Sequence, residues 1–211
     1  MQPTINSLSG VLSEIDRFLS AGKERIILGI VGKPGAGKST MTNHIMEYLV
    51  GKSVALFPMD GFHFSNKVLV ETGRRERKGA PDTFDAHGFT SLLGRIKNET
   101  TKDIYFPIFH REFEESYAAE GVIPAGTKLV LTEGNYLLLD SPEWEEVRPL
   151  LDESWYLAPR DSIRQERLIL RHEKYGKNKE EASKWALGSD EKNAEIVEST
   201  KKYATKIVVL P

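Results

Sequence analysis

The stretch GIVGKPGAGKST, residues 29–40, decides the fold of this chain. It contains the pattern G-x-x-x-x-G-K-[ST], in which Gly32, Gly37, Lys38 and Ser39 occupy the fixed positions. Between a strand and a helix this pattern forms a P-loop, whose backbone N–H groups bind the phosphates of a nucleotide. A purely structural glycine turn is the alternative, and the flanking sequence distinguishes the two.

Both flanks of the motif favour the P-loop. Residues 25–31, RIILGIV, form an apolar run typical of a buried strand, and residues 39–50 carry apolar side chains at helical spacing. We expect Lys38 to contact the β- and γ-phosphates of ATP and the Ser39 hydroxyl to bind Mg²⁺. The predicted nucleotide-binding residues of the loop are Gly32, Pro34, Gly35, Ala36, Gly37, Lys38, Ser39 and Thr40.

Composition narrows the classes of function. The chain has 211 residues, 39% hydrophobic and 28% charged, which predicts a single domain over residues 1–211. Its net charge of −2 argues against broad nucleic-acid binding. The absence of cysteine excludes thiol catalysis and cysteine-ligated zinc. No signal-peptide pattern and no apolar run of ~18 residues is present, so we expect a cytoplasmic protein without a membrane span.

Strands and helices alternate along the predicted chain. The opening helix carries Ile5, Leu8, Leu12, Ile15 and Leu19 on one face, and further helices are predicted over residues 88–98 and from Asp161. Predicted strands after the P-loop cover residues 53–60, 102–110, 127–139, 154–158 and 206–210. This alternation predicts an α/β fold with a parallel sheet covered by helices on both faces.

Two acidic residues end predicted strands. Asp60 ends the strand after the P-loop unit, and Glu133 ends the apolar run KLVLTE. Ligands of such sheets bind beyond the carboxyl ends of the strands, where a carboxylate can hold Mg²⁺ or accept a proton from an attacking hydroxyl. Asp60 and Glu133 are therefore candidate metal ligands, and Asp60 is also the candidate general base. A helix cap or a turn residue is the alternative for each.

Three arginines share one face of the helix that begins at Asp161. Arg164, Arg167 and Arg171 stand at positions i, i+3 and i+7. Downstream of a P-loop, such cations can close over a transferring phosphoryl group, so we expect residues of about 160–190 to form a mobile lid. The alternative is a solvated helix surface, with the arginines paired to neighbouring glutamates.

Taken together, five segments resemble the phosphoribulokinase/uridine kinase group of P-loop kinases, which includes bacterial type I pantothenate kinases. They are GKPGAGKST, MDGFHFSN, RKGAPDTFD, TEGNYLLLD and RLILRHEKYG, and the resemblance covers residues of about 25–209. It implies a P-loop NTPase fold with a small helical lid. It also implies that Asp60 is the catalytic base, that Glu133 is a second acid near Mg²⁺, and that Arg164, Arg167 and Arg171 are lid arginines. Arg167 then joins Lys38 and Asp60 as catalytic, and the other two bind nucleotide.

The acceptor site is less well defined by the resemblance. Uridine kinases carry an aspartate before a histidine-proline pair, whereas this chain has Lys78-Gly79 before Ala80-Pro81, which is similar to the KGxP pattern of pantothenate kinases. The candidate acceptor-site residues are Lys78, Asp82, Asp85, His110 and Arg111, each of which could equally lie on the surface or in a turn. A pantothenate-, sugar- or nucleoside-like acceptor stays open, as does a homodimer.

The sequence therefore predicts an ATP- and Mg²⁺-dependent kinase. It would transfer the γ-phosphoryl group to a hydroxyl of a small metabolite, without a nucleic-acid or membrane partner. The alternative is a regulatory protein that binds or hydrolyses nucleotide without an acceptor. Against it, residues 66–69, NKVL, match the guanine-binding pattern N-K-x-D only up to the aspartate.

Overall fold

The computed structural model describes residues 2–210 and consists of a parallel sheet, a separate hairpin and surrounding helices. The strands are β1 (Thr4–Ile5), β2 (Ile26–Gly32), β3 (Val54–Pro58), β4 (Ile104–His110), β5 (Glu115–Ile123), β6 (Leu129–Gly134), β7 (Glu153–Leu157) and β8 (Lys206–Val208). The helices are α1 (Leu8–Ser20), α2 (Lys38–Tyr48), α3 (Asn66–Glu71), α4 (Ala86–Asn98), α5 (Asp161–Lys174), α6 (Lys179–Leu187) and α7 (Ser189–Thr200).

Six strands form the main sheet in the order β1-β8-β7-β2-β6-β3, and every pair is parallel. Every residue of β2 is buried because this central strand is covered on both faces. Along β2, Ile27 and Val31 join the apolar cluster that includes α4, while Leu28 and Ile30 join the cluster that includes α1 and α2. The predicted α/β fold with helices on both faces is confirmed.

The register of the sheet aligns the strand ends that carry polar residues. Glu133 of β6 lies opposite Pro58 of β3 on one side and opposite Ile30 of β2 on the other. Asp60 follows Pro58 by two residues, and the P-loop follows β2. Because parallel strands end at the same edge, both acids and the loop meet there.

The strand predicted over residues 102–110 does not belong to the main sheet. Its core, β4, pairs antiparallel with β5, a strand that the sequence analysis missed because most of its residues are exposed. The hairpin packs on the short 3-10 turn Met59–Phe62, which carries Asp60. A Cβ on Gly61 would lie 1.9 Å from the carbonyl oxygen of Pro107, so only glycine allows this approach.

The opening segment also differs from the prediction. Ile5 lies in β1 opposite Val208, and α1 begins only after Ser7, whose hydroxyl accepts a hydrogen bond from the Gly10 N–H. The fully buried residues of α1 are therefore Val11, Ile15 and Phe18, of which only Ile15 was predicted, while the predicted Leu19 is partly buried against the same cluster. Pairing with β8 overrides the helical spacing of Ile5.

Helices α5, α6 and α7 follow one another directly after β7. The prediction that a helix begins at Asp161 is confirmed, whereas the division of the segment into α5 and α6, and the existence of α7, were not predicted. Asn178 and Glu181 form a reciprocal capping box at the start of α6. Within residues 2–210, none of the helices has the length and apolar character needed to cross a membrane.

Candidate active site

The P-loop has the backbone geometry of an anion-binding turn. Gly35 and Gly37 have φ values of 78° and 90°, a region that side chains other than glycine rarely adopt. Gly37 is also the N-cap of α2, and no side-chain hydrogen bond caps that helix. The N-terminal N–H groups of α2 and the partial positive charge of its helix dipole can therefore bind phosphate oxygens.

The Lys38 ammonium group is fixed beside this turn by hydrogen bonds. Its Nζ donates to Oδ1 of Asn135 at 2.6 Å and to the carbonyl oxygen of Gly32 at 3.0 Å. Burial lowers the pKa of Lys38 to about 8, although the charges of Glu133 and Asp60 act in the opposite direction. A buried ammonium with neutral hydrogen-bond partners is suited to an anionic ligand.

Ser39 and Glu133 meet beside Lys38. The Ser39 hydroxyl donates to Oε1 of Glu133 at 2.8 Å, and Oε2 of Glu133 is buried without a hydrogen-bond partner among residues 2–210. Burial and the neighbouring Asp60 charge raise the pKa of Glu133. A divalent cation would give the unpartnered Glu133 oxygen a ligand and would offset the repulsion from Asp60, so Ser39 and Glu133 fit Mg²⁺. Among the described residues, no group of three His, Asp or Glu side chains is arranged to hold a metal ion, so a cation here would draw its other ligands from phosphates and water.

Asp60 faces the same cleft from the 3-10 turn after β3. Its Oδ2 accepts a hydrogen bond from Nη2 of Arg111 at 2.6 Å, and Nδ1 of His63 lies 2.7 Å from its backbone oxygen. Burial opposes ionisation of this carboxyl, but the charges of Arg111, His63 and Lys38 outweigh it and lower the pKa of Asp60. Asp60 is therefore a carboxylate at neutral pH.

Arg167 and Arg171 of α5 form the opposite wall of a cleft of about 1060 Å³. A Cβ on Gly37 would lie 3.2 Å from Nη1 of Arg167, so this guanidinium adjoins the P-loop. Burial and the nearby Arg111 charge lower the pKa of Arg171. Neither arginine forms an ion pair within the described part of the chain. Of the three neighbouring arginines, only Arg111 forms an ion pair among residues 2–210, and the excess of positive charge in this part of the cleft favours an anionic ligand.

The structure places Arg164 away from this wall. Its side chain is completely buried, and it pairs with Asp161 and Glu191 instead of lining the cleft. Of the three predicted lid arginines, only Arg167 and Arg171 line the cleft, because the side chain of Arg164 is buried between α5 and α7.

The candidate acceptor-site residues separate into two groups. Lys78 and Arg111 line the cleft, and Nζ of Lys78 lies 5.2 Å from the centre of the Phe109 ring. The other three lie outside its lining and have structural partners. Asp82 pairs with Arg77, Asp85 accepts the Gly88 N–H as the cap of α4, and His110 pairs with Glu120 on the hairpin.

Sequence reasoning missed several cleft residues. Asn135 contacts Lys38 and stands directly beyond the end of β6, so the strand-end rule applied to Glu133 could have found it. Asp190 lies in the first turn of α7 and pairs with His172 of α5 at 2.7 Å. Its position depends on how α5 and α7 pack, and no local pattern signals it.

A second, smaller cavity of about 180 Å³ adjoins the outer side of the P-loop. Its lining is mostly apolar and includes Met41, Leu157, Pro159, Ile163 and Val208, with Thr40 and Arg167 at its border with the loop. This cavity offers an apolar surface for a flat ring next to the phosphate-binding turn.

Two curated relatives match most of the chain. "Putative uridine kinase C227.14" of Schizosaccharomyces pombe is 32% identical over 158 residues, which is 71% of this chain and 67% of that protein. "Uncharacterized protein YggC" of Escherichia coli is 32% identical over 191 residues, covering 88% of this chain and 78% of the relative.

A solved structure and a family model also match nearly the whole chain. The crystal structure of a "putative fructose transport system kinase" from Silicibacter sp. TM1040 superposes with a TM-score of 0.86 at 30% identity, over 95% of this chain and 98% of the other. Residues 27–209 match the model of the Phosphoribulokinase / Uridine kinase family. The chain therefore belongs to the phosphoribulokinase/uridine kinase family, P-loop kinases that act on small metabolites.

Proposed function

We propose that this protein transfers the γ-phosphoryl group of ATP to a hydroxyl group of a small metabolite. One observation carries the proposal. The Asp60 carboxylate and the cations Lys38, Arg167 and Arg171 line a single cleft at the carboxyl edge of the sheet. Phosphoryl transfer needs these groups in one place: a carboxylate for the attacking hydroxyl and cations for the phosphoryl oxygens.

The nucleotide site is proposed along the P-loop. Its backbone N–H groups and the Lys38 ammonium would hold the β- and γ-phosphates, and the apolar cavity bordered by Thr40 would take the adenine ring. Ser39 and Glu133 would hold Mg²⁺, which supplies charge neutralisation at the phosphates when bound. The unpartnered Glu133 oxygen supports this assignment.

Asp60 is proposed to act on the acceptor hydroxyl. Arg111 occupies its Oδ2, which leaves Oδ1 to accept the hydroxyl proton as the oxygen attacks the γ-phosphorus and the bond to the β-phosphate oxygen breaks. Arg167 and Arg171 would stabilise the negative charge on the transferring group from the opposite wall. Arg111 would fix the orientation of the carboxylate throughout.

The acceptor is proposed to lie between Asp60 and the hairpin. That end of the cleft is lined by Lys78, Arg111 and Glu114, and the His63 ring there lies 4.0 Å from the ring of Phe84 and 4.5 Å from that of Phe109 between centroids. Its mixture of charged groups and ring faces suits a small polar molecule with hydroxyl groups, such as a sugar, a nucleoside or a pantothenate-like acid.

An assay of ADP release against a panel of acceptors tests the proposal. Uridine, D-fructose, D-glycerate and pantothenate would each be offered with ATP and Mg²⁺, and the same panel would be run on Asp60→Asn. The proposal predicts that at least one acceptor accelerates ADP release and that the variant loses this acceleration. Release that is equal with and without every acceptor would instead favour a nucleotide-hydrolysing regulatory protein.

A further inference from the structure

A lysine inside the P-loop is tied to the helices that carry the cleft arginines. Nζ of Lys33 lies 2.6 Å from Oδ1 of Asp161, the first residue of α5, and 3.2 Å from Oε2 of Glu198 in α7. The Lys33 side chain is only 11% exposed. Its backbone oxygen meanwhile accepts the Ala36 N–H within the phosphate-binding turn. Lys33 therefore joins the turn to both helices.

The chain of charges continues from Asp161 to Arg164. The same Oδ1 atom that contacts Lys33 accepts a hydrogen bond from Nε of Arg164 at 2.6 Å. Nη2 of Arg164 then donates to Glu191 near the start of α7, and Gln165 donates to the other oxygen of that carboxylate at 3.2 Å. The hydrogen bonds with Lys33 and Arg164 lower the pKa of Asp161.

The backbone of α5 also lies directly on the P-loop. A Cβ on Gly35 would lie 2.4 Å from the carbonyl oxygen of Arg164 and 2.8 Å from Cγ of Leu168. No other residue type fits between the turn and this helix without displacing one of them. Arg167 follows Arg164 by about one helical turn, which brings its guanidinium next to Gly37. The first half of α5 and the P-loop thus form one packed unit.

We propose that Lys33 and Arg164 are positioning residues, which lock α5 onto the P-loop so that Arg167 is already in place when a nucleotide binds. The inference rests on the proposed function for its catalytic consequence. Arg164 is completely buried and pairs with both Asp161 and Glu191, so moving α5 away from the P-loop and α7 would break the ion pair of this buried charge with Glu191, which is costly. Any closing motion of the cleft must then come from residues beyond the anchored half of α5.

The proposed link between Lys33 and Arg167 is tested by measuring kcat for Lys33 variants, first in the wild-type protein and then in Arg167→Ala. Lys33→Met removes the charge and keeps much of the side-chain length, and Asp161→Asn does the same from the helix side. Each should lower kcat by ~10-fold or more, since small misplacements of catalytic groups can cost up to ~10²-fold. Lys33→Arg should restore most of the rate. Lys23→Met is the matched control, because the exposed Lys23 side chain forms an ion pair with Asp152 outside the cleft.

The decisive comparison is the same substitution in an Arg167→Ala background. If Lys33 acts by placing Arg167, Lys33→Met should lower kcat there by less than ~2-fold, because the two effects share one cause. An equal factor in both backgrounds would overturn the proposal, and so would an unchanged kcat in Lys33→Met.

Hydrogen exchange of the full-length protein separates this inference from the proposed function. Amide groups of α5 should exchange faster in Lys33→Met than in the wild type, while those of α4 should not change. This comparison requires no turnover. If no acceptor accelerates ADP release, the proposed function fails, and exchange alone decides whether Lys33 anchors α5. Unchanged exchange of α5 would overturn the anchoring.

Discussion

The guanidinium of Arg111 lies 2.6 Å from the Asp60 carboxylate, although 51 residues separate them in the sequence. Asp60 stands beyond the end of β3, and Arg111 stands in the turn between β4 and β5. The hairpin thus contributes a charge to the site of the main sheet. The Arg111 charge lowers the pKa of Asp60, and its hydrogen bond occupies one of the two carboxylate oxygens.

Asp60→Asn should abolish most acceptor-dependent turnover while nucleotide binding persists. The amide cannot take a proton from the hydroxyl, and general-base contributions are typically ~10²–10⁴-fold. Steady-state kcat and the Kd for ADP, measured on the same preparation, check both halves. Asp16→Asn on the surface of α1, where the Asp16 carboxylate accepts a hydrogen bond from Tyr48, is the matched control. A kcat within about threefold of wild type would remove Asp60 from the role of base.

Gly61→Ala should destabilise the protein and weaken the Asp60–Arg111 contact. The new methyl group would overlap the Pro107 carbonyl, and overpacking of this kind costs about 1–3 kcal/mol in the free energy of unfolding. Urea denaturation measures the change. Gly94→Ala in α4 is the matched control, because a Cβ there has no heavy atom within 4 Å and alanine favours helix. Equal stability of the two variants would contradict the close approach of hairpin and turn.

Local sequence patterns predicted those parts of the fold that are determined by residues close together in the sequence. The P-loop, the start of α5 at Asp161 and the strand-end positions of Asp60 and Glu133 follow from spacing, caps and apolar runs. The hairpin was harder to predict because β5 alternates little and is mostly exposed. Its relation to Asp60 depends on the contact between Gly61 and Pro107, which links distant parts of the chain.

For the candidate site, the sequence predicted which helix carries the arginines but not which of them line the cleft. Arg164, Arg167 and Arg171 share a helical face in the sequence, yet Arg164 is drawn into a buried pairing with Glu191 of α7. The sequence pattern around α5 predicts neither α7 nor this contact between the two helices. The spacing of charges thus identified the helix, and only tertiary packing decided which of its arginines faces the cleft.

ATP affinity should fall as the pH rises above about 8. With a pKa of about 8, Lys38 is protonated below that pH and loses its charge above it. The last phosphate ionisation, near pH ~6, is already complete there, so the ligand itself does not change. Above pH 8 binding must then take up a proton, which lowers the apparent affinity. Calorimetry at pH 8.5 in buffers of different ionisation enthalpy should detect this uptake. If no proton is taken up on binding, the lowered pKa of Lys38 is contradicted.

Arg167→Ala and Arg171→Ala should each lower kcat far more than they lower the melting temperature. A phosphate-stabilising arginine can contribute ~10³–10⁵-fold in rate, whereas neither Arg167 nor Arg171 forms an ion pair among residues 2–210 whose loss would lower stability. Arg95→Ala on α4, which breaks an exposed pair with Glu99, is the matched control. If Arg167→Ala keeps its fold and loses less than ~10-fold in kcat, Arg167 is not part of the phosphoryl-transfer site.

The fate of the γ-phosphoryl group tests the central claim most directly. ATP labelled in its γ-phosphate would be incubated with the protein, Mg²⁺ and each acceptor of the panel, and the products would be separated and identified by mass. The account predicts that the label appears in one acceptor as a phosphate ester, in amounts equal to the ADP formed, and that Asp60→Asn forms almost none. Label that is found only in inorganic phosphate, with every acceptor offered, would contradict it.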